Sequence, residues 1–477
     1  MTNTTTILSS RARLQTKTPQ TIFTLIVMAL LLSACATGAP LRPAQIKLLP
    51  AYEVAAGVPD ARLLDHWWTL YDDAQLNTLV TRALSQGFSV REAQARLTES
   101  QALRSAALAP FGLQGDLQGN ATYQDTRNLD GTNNAAVTQA GVSKTAGVSL
   151  PVSWELDFFG RRSATERAFQ SDLDTARFDV ESARAAIAAE VARALFQTRG
   201  LKVQRDEALE TLRIQRDLLS VVTERARRGL AASSESDRVA ADLAQAQAQA
   251  EDLGAALMAS RRALLVVIGD GTNALGDDDV LASLGAVPQI PIAMPGDLLV
   301  RRPDVRIAAS RVQRAASNVR LAELDFFPRV TLNPGFGLTA QRGALDSTTG
   351  FWSLAVGLTV PVLDRPRLQA QLRAEGARAE QTVLAYERTV QTAFSEADQS
   401  LTRLQADRRR VDTLSAGETR AQTAYAAARK RYDLGFANLQ ELLDAERAWR
   451  ATRSALTGAR LDALLRSVQV FQALGGG

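Results

Sequence analysis

The chain has 477 residues, 46% hydrophobic but only 5% aromatic, with 55 Lys and Arg against 51 Asp and Glu. That is the composition of a helix bundle or coiled coil with a minority of β-structure. The formal charge of +4 includes Arg11, Arg13 and Lys17 in a segment read below as removed, so 4 less 3 leaves about +1, which excludes a nucleic-acid footprint and puts Arg and Glu on solvated helix faces.

Residues 1–34 read as a signal peptide. Arg11, Arg13 and Lys17 precede an apolar run from Ile22 to Leu32, too short for a dependable membrane-spanning helix but suited to secretion. The run ends in Leu32-Ser33-Ala34-Cys35, which resembles a bacterial lipobox: Cys35 would take a diacylglyceryl group, become the first mature residue and be acylated again. Two such chains hold a protein stably on a bilayer. The competing reading is an ordinary cleavage site at Ala34-Cys35-Ala36, which would discard the thiol. Either way no thiol remains for a disulfide, a metal or a nucleophile, since Cys35 is the only cysteine. Ala36 in place of Asp resembles the sorting pattern of outer-membrane lipoproteins.

Residues 36 to about 60 are rich in Pro, Gly and Ala and read as an extended tether. Trp67 and Trp68 follow as expected core anchors, with His66, the only histidine, read as structural. A helix then carries Leu76, Leu79, Val80, Ala83 and Leu84, and Gly87 closes it.

Beyond residue 87 the chain is duplicated. Arg91 to Leu97 matches Arg306 to Val312, an offset of 215 (306 less 91). Leu156-Asp157 matches Leu363-Asp364 at 207 (363 less 156), and Arg225 to Ala231 matches Arg431 to Ala437 at 206 (431 less 225). Repeat 1 is assigned to 88–268, an equatorial linker to 269–300, repeat 2 to 301–467 and a C-terminal tail to 468–477. Each repeat reads helix, strand, polar loop, strand, long helix, turn, helix.

The predicted strands span about 113–124 and 145–156 in repeat 1, and 329–340 and 351–363 in repeat 2. In the second of each pair, apolar residues such as Val148, Leu150, Val152 and Trp154 alternate with Ser149, Pro151 and Ser153. About ten residues is the length that crosses a bilayer when tilted. A soluble sandwich is the alternative, but four strands embedded in helical text make a poor one. In lipid four strands cannot close, and open edges would leave amides unpaired in hydrocarbon, so a membrane reading requires further copies of the chain.

The helical runs from Arg161 to Arg228 and from Arg367 to Leu434 hold roughly seventy residues each, about 100 Å at 1.5 Å per residue. Gly200 and Gly376 are candidate bends. Gly229 and Gly435 sit where each run should reverse into a return helix, Asp237 to Ile268 and Leu439 to Leu465, with hairpin tips near 229–237 and 432–444. Dense small residues, as in Ala244 to Ala250, suit helices packed side by side into a tube.

Trp154-Glu155-Leu156-Asp157-Phe158-Phe159-Gly160-Arg161-Arg162, Arg301-Arg302-Pro303-Asp304-Val305-Arg306, Phe326-Phe327-Pro328 and the Trp67-Trp68 segment resemble the signature blocks of TolC-type outer-membrane factors, in particular the NodT-like lipoproteins that serve RND efflux pumps. The resemblance runs from Cys35 to about Leu474. It implies a mainly α fold with a β-barrel portion: a homotrimer whose twelve strands, four per chain, form one outer-membrane barrel, continued by a helical periplasmic tunnel with a mixed equatorial domain. It implies a passive exit duct with no cofactor and no chemistry of its own. The implied partners are a periplasmic membrane-fusion adaptor at the hairpin tips, an inner-membrane RND transporter and the outer-membrane lipid.

By the same resemblance Tyr432, Glu441 and Asp444 match the tyrosine and acidic pair of the periplasmic constriction, with Glu441 where Asp is usual. At the first tip Glu235 has the family spacing from Gly229, whereas Asp237 has the family residue type. Ala226 stands at the tyrosine position there, so closing contacts fall to Arg225, Arg227 and Arg228. Carboxylates repeated around a narrow tunnel would concentrate cations. Read from the residues alone, Asp444 is instead a cap near the start of the return helix. Two other functions stay open at this point, an envelope-spanning scaffold without a pore and the exit duct of a type I secretion system. Phosphate loops, nucleophile elbows and metal spacings do not stand out.

Overall fold

A computed structural model describes residues 42–53, 64–127, 141–273, 283–291, 294–343 and 346–476. Cys35, the signal segment before it, and parts of the tether and linker lie outside these residues. The protein is mostly helical, with a small antiparallel sheet. Its helices are α1 (Ala74–Gln86), α2 (Phe88–Leu108), α3 (Arg161–Arg227), α4 (Ser233–Val267), α5 (Pro303–Leu324), α6 (Arg365–Asp433) and α7 (Leu439–Ala473). The strands are β1 (Gln114–Gly115), β2 (Gln118–Thr126), β3 (Gly141–Leu156), β4 (Arg329–Arg342) and β5 (Ser347–Thr359). Two compact units result: one from 108–165 and 317–378, holding the sheet, and one from 42–107, 166–316 and 379–477.

In the sheet unit the order is β2-β3-β4-β5, with β1 pairing β3 alongside β2. Prolines set its irregularities, because each removes a ladder donor. Residues 116 and 117 separate β1 from β2 opposite Pro151 and Leu150, and β3 misses β4 at Val152 and Ser153, opposite Pro334 and Asn333. Thus the predicted strand at 113–124 is two pieces. β5 ends at Thr359, not Leu363, since Pro361 cannot donate to a further rung.

The junction block has a local cause. Asp157 accepts the backbone N–H groups of Gly160 (2.8 Å), Arg161 (2.7 Å) and Arg162 (2.9 Å), neutralising the free amides at the start of α3. Arg161 reaches Asp325 at 2.9 Å and the Leu324 carbonyl at 2.8 Å. Phe159 packs on Phe327, ring centroids 5.0 Å apart, while Phe158 stays exposed.

The second unit buries two apolar clusters. The larger gathers Leu64, Trp67, Leu76, Val80, Leu195, Phe196, Leu264, Val468 and Phe471, with Trp67 stacked on Phe471 at 5.1 Å. So the expected tail at 468–477 is mostly the end of α7: the helix runs past Leu465 to Ala473 because Val468, Val470 and Phe471 fill this core. His66 is exposed and meets Trp68 edge to face at 5.3 Å. Gly200 is no bend. A Cβ there would lie 2.7 Å from Leu461 Cδ2, so the glycine lets α3 and α7 approach within an unbroken helix.

The duplication is visible in how helices stop. Gly229, Gly269, Gly435 and Gly475 all take positive φ, and the residue after each donates to the carbonyl five residues back. This is a Schellman ending, which satisfies otherwise free carbonyls and favours glycine. α4 and α7 are both 35 residues long.

Candidate functional site: the hairpin tips and the two-faced sheet

At the tips the helix pairs α3–α4 and α6–α7 share a small apolar cluster of Leu218, Val222, Val239, Tyr432, Leu439, Leu442 and Leu443. The turns themselves project Leu230, Leu434 and Phe436 into the open. Tyr432 is buried, and the Arg225 guanidinium lies over its ring, 4.9 Å from the centroid. Ring and cation attract through the aromatic quadrupole, so this contact joins the two hairpins. Arg227 and Arg228 both pair instead with Glu224, at 2.9 and 2.7 Å.

The acidic residues take different partners. Glu441 accepts from Arg431 at 2.5 Å, and Asp444 accepts from Gln440 at 2.9 and 2.8 Å. Asp444 is not the cap. Asn438 fills that place, its side chain accepting from the Glu441 N–H at 2.8 Å. Glu235 sits in the first turn of α4 and Asp237 is exposed two residues on. Among the described residues neither joins Tyr432, Glu441 or Asp444 by a hydrogen bond or ion pair.

Further along the hairpins lies a polar group the sequence reading missed. Gln215 and Glu446 are fully buried, and the Gln215 amide nitrogen donates to both Glu446 oxygens, at 2.9 and 2.8 Å. Burial pushes the Glu446 carboxyl up, Asp242 adds to this, and Arg450, Gln215 and Arg447 oppose it without cancelling it. Asp242 is paired to Arg447 at 2.9 Å, and Tyr425 stacks on Trp449 at 5.0 Å. A signal was present: Leu439, Leu442, Glu446 and Trp449 follow helical spacing, so Glu446 stands inside an apolar stripe. No group of three or more His, Cys, Asp or Glu suited to a metal occurs among the described residues.

The sheet is chemically two-faced. Pairing aligns Leu150 with Phe336 and Phe336 with Trp352, and aligns Trp154 with Leu332 and Leu332 with Val356. Because side chains alternate along a strand, these residues with Val148, Leu338, Leu354 and Leu358 cover one face; nearly all are exposed. The opposite face carries Ser149, Ser153, Thr331, Asn333, Thr339, Ser353 and Thr359. It is also crowded: a Cβ on Gly337 would meet the Phe351 ring at 2.5 Å, and one on Gly357 would meet Thr331 Oγ1 at 2.6 Å. An exposed apolar face over several strands belongs against lipid or protein, since water would drive it to be covered. Among the described residues β2 and β5 each pair with one strand only, leaving both edges open.

Residues 79–270 and 294–476 match the outer membrane efflux protein family. The pyoverdine export outer membrane protein OpmQ of Pseudomonas putida is 28% identical over 464 residues, covering 95% of this chain and 97% of its own. The outer membrane protein OprJ of Pseudomonas aeruginosa is 28% identical over 468 residues, 95% of each chain. The solved outer-membrane channel OprN matches with a TM-score of 0.81 at 27% identity, over 92% of this chain and 99% of that one. VceC of Vibrio cholerae matches with a TM-score of 0.74 at 26% identity, over 87% and 99%. The chain therefore belongs to the outer membrane efflux protein family.

Proposed function

We propose that the protein is the outer-membrane exit duct of a tripartite RND efflux pump, built as a homotrimer and anchored by lipid on Cys35. The observation that carries this is the sheet with one exposed apolar face, one polar face and two open edges. In hydrocarbon each unpaired backbone group costs several kcal/mol, so the edges must meet other edges. Four long strands are too few to close, since barrels begin at about eight strands, and three copies supply about twelve. Closing them puts the apolar face against lipid and the polar face around water.

The duct is passive. Cargo arrives from an inner-membrane transporter through a periplasmic adaptor, and the adaptor docks on the apolar turn residues Leu230, Leu434 and Phe436, which project from the hairpin tips. Arg225 and Tyr432 hold the tips together at rest, and Asp444, with Glu441, Glu235 and Asp237, lines the constriction. Relatives named for pyoverdine export, for toluene efflux and for antibiotic efflux suit a conduit whose transporter sets the cargo, here drugs or toxic small molecules.

The test is reconstitution. Purified protein should run as a heat-modifiable trimer and give stepwise conductance in planar bilayers, and its deletion should raise the susceptibility of cells to such compounds. A helical monomer without conductance would support an envelope scaffold instead.

A further inference from the structure

The apolar face of the sheet ends in a row of different chemistry. Tyr123 pairs with Lys144, and Lys144 pairs with Arg342. Lys144 and Arg342 have the same strand parity as Val148, Leu150 and Leu338, so all three side chains of the row leave the sheet on its apolar side. Lys144 lies ten residues from Trp154 along β3, a rise of roughly 33 Å, or about 25 Å of height for a strand tilted near 40°, the depth of the apolar band of an outer-membrane barrel. Trp154, whose ring N–H donates to the Phe111 carbonyl at 3.1 Å, marks one boundary of that band. The cationic row marks the other.

Two cations paired directly across strands repel each other. Lys144 has no ion pair among the described residues; its ammonium sits 5.7 Å from the Tyr123 ring centre. Among the described residues Arg342 pairs only with Asp346, at 3.4 Å, with both side chains largely exposed, a weak pair that an anion can displace. The neighbouring Arg127 is held by Asp125 at 3.1 Å. The row therefore presents an ammonium with three donors beside a planar guanidinium, at the cross-strand spacing where both reach one phosphate group.

We propose that Tyr123, Lys144 and Arg342 form a binding site for the phosphate of a phosphorylated glycolipid in the outer leaflet. The proposal rests on the barrel reading above: the loop ends of the strands, opposite the end that leads into the long helices, face outward there, and closure by three chains repeats the site three times. The aromatic ring lies at the headgroup boundary while the two long side chains reach out to the phosphate. A lipid is the occupant that fits, because in the barrel the site adjoins the face that acyl chains cover.

The full-length protein in detergent would be titrated with a bis-phosphorylated glucosamine-disaccharide lipid and with the same lipid stripped of phosphate, bound lipid being counted by native mass spectrometry. The wild type should prefer the phosphorylated form by about tenfold, and the double variant Lys144→Gln with Arg342→Gln should show less than about twofold preference. An unchanged preference in the variant would overturn the site, as would full competition by millimolar inorganic phosphate, which would make it a simple anion site. Conductance in planar bilayers separates the two levels. If both proteins conduct and the preference ignores the substitutions, only the lipid site fails; if neither conducts, the barrel reading fails and takes the site with it.

Discussion

The Gln215 side-chain nitrogen donates to both carboxylate oxygens of Glu446 while its own carbonyl oxygen, also buried, accepts nothing among the described residues. Protonation of Glu446 would supply a donor for that oxygen, against the 3.4 Å ion pair that Arg450 Nε makes with the carboxylate. Burial favours the protonated form and holds the carboxyl above the ordinary glutamate range.

The pH dependence follows. With its pKa raised on folding, the native state binds more protons than the unfolded one, so this group's contribution to stability falls as pH rises. It is fully present below the ordinary glutamate value and lost as pH climbs through the raised one. Glu446→Gln should flatten this: as pH falls from neutral toward the ordinary glutamate value the wild type should gain thermal stability relative to the variant. Parallel curves would show that Glu446 titrates normally.

Tyr432 should close the tips through its ring and not its hydroxyl, because the contact with Arg225 is to the ring face. Tyr432→Phe should leave single-channel conductance unchanged, whereas Tyr432→Ala and Arg225→Ala should raise it. A Tyr432→Phe protein as open as Tyr432→Ala would assign closure to the hydroxyl.

The acidic residues are unequal. Glu441 is already compensated by Arg431, while among the described residues Asp444 accepts only from the neutral Gln440 amide. Asp444→Ala should therefore lower cation selectivity more than Glu441→Ala, and the double variant most, as read from reversal potentials across a salt gradient. Unchanged selectivity in the double variant would remove both from the constriction.

Asp73 caps α1 through the Leu76 N–H at 3.0 Å and receives the buried Arg199 guanidinium. Burial raises its carboxyl pKa, but these hydrogen bonds outweigh burial and the net shift is downward. Its contribution is thus present at neutral pH and lost as pH falls below the usual Asp range. Asp73→Ala leaves the buried Arg199 guanidinium with the neutral Gln75 oxygen at 2.7 Å in place of a carboxylate and removes a cap, at about 3–5 kcal/mol for the broken pair. Asp73→Asn keeps the cap acceptor and should cost less; equal melting temperatures for the two variants would contradict the cap.

Much of this was legible in the chain itself, for reasons of period and punctuation. Val148 to Trp154 alternate because one face is apolar, and Gly229 and Gly435 mark reversals because only glycine takes the left-handed turn cheaply. Strand ends were read less well, since Pro151, Pro334 and Pro361 act on a neighbouring strand's ladder and their effect depends on register. The close approach at Gly200 is not legible because its partner, Leu461, is distant in sequence. Glu446 is one acid among many in the sequence, although Leu442 and Trp449 on either side place it on a buried stripe.

If three chains share one wall, native mass spectrometry of the detergent-purified protein will count them. The expected spectrum is one dominant species at three chain masses that falls to single chains only on heating. A stable single chain, or an assembly of two, would contradict it.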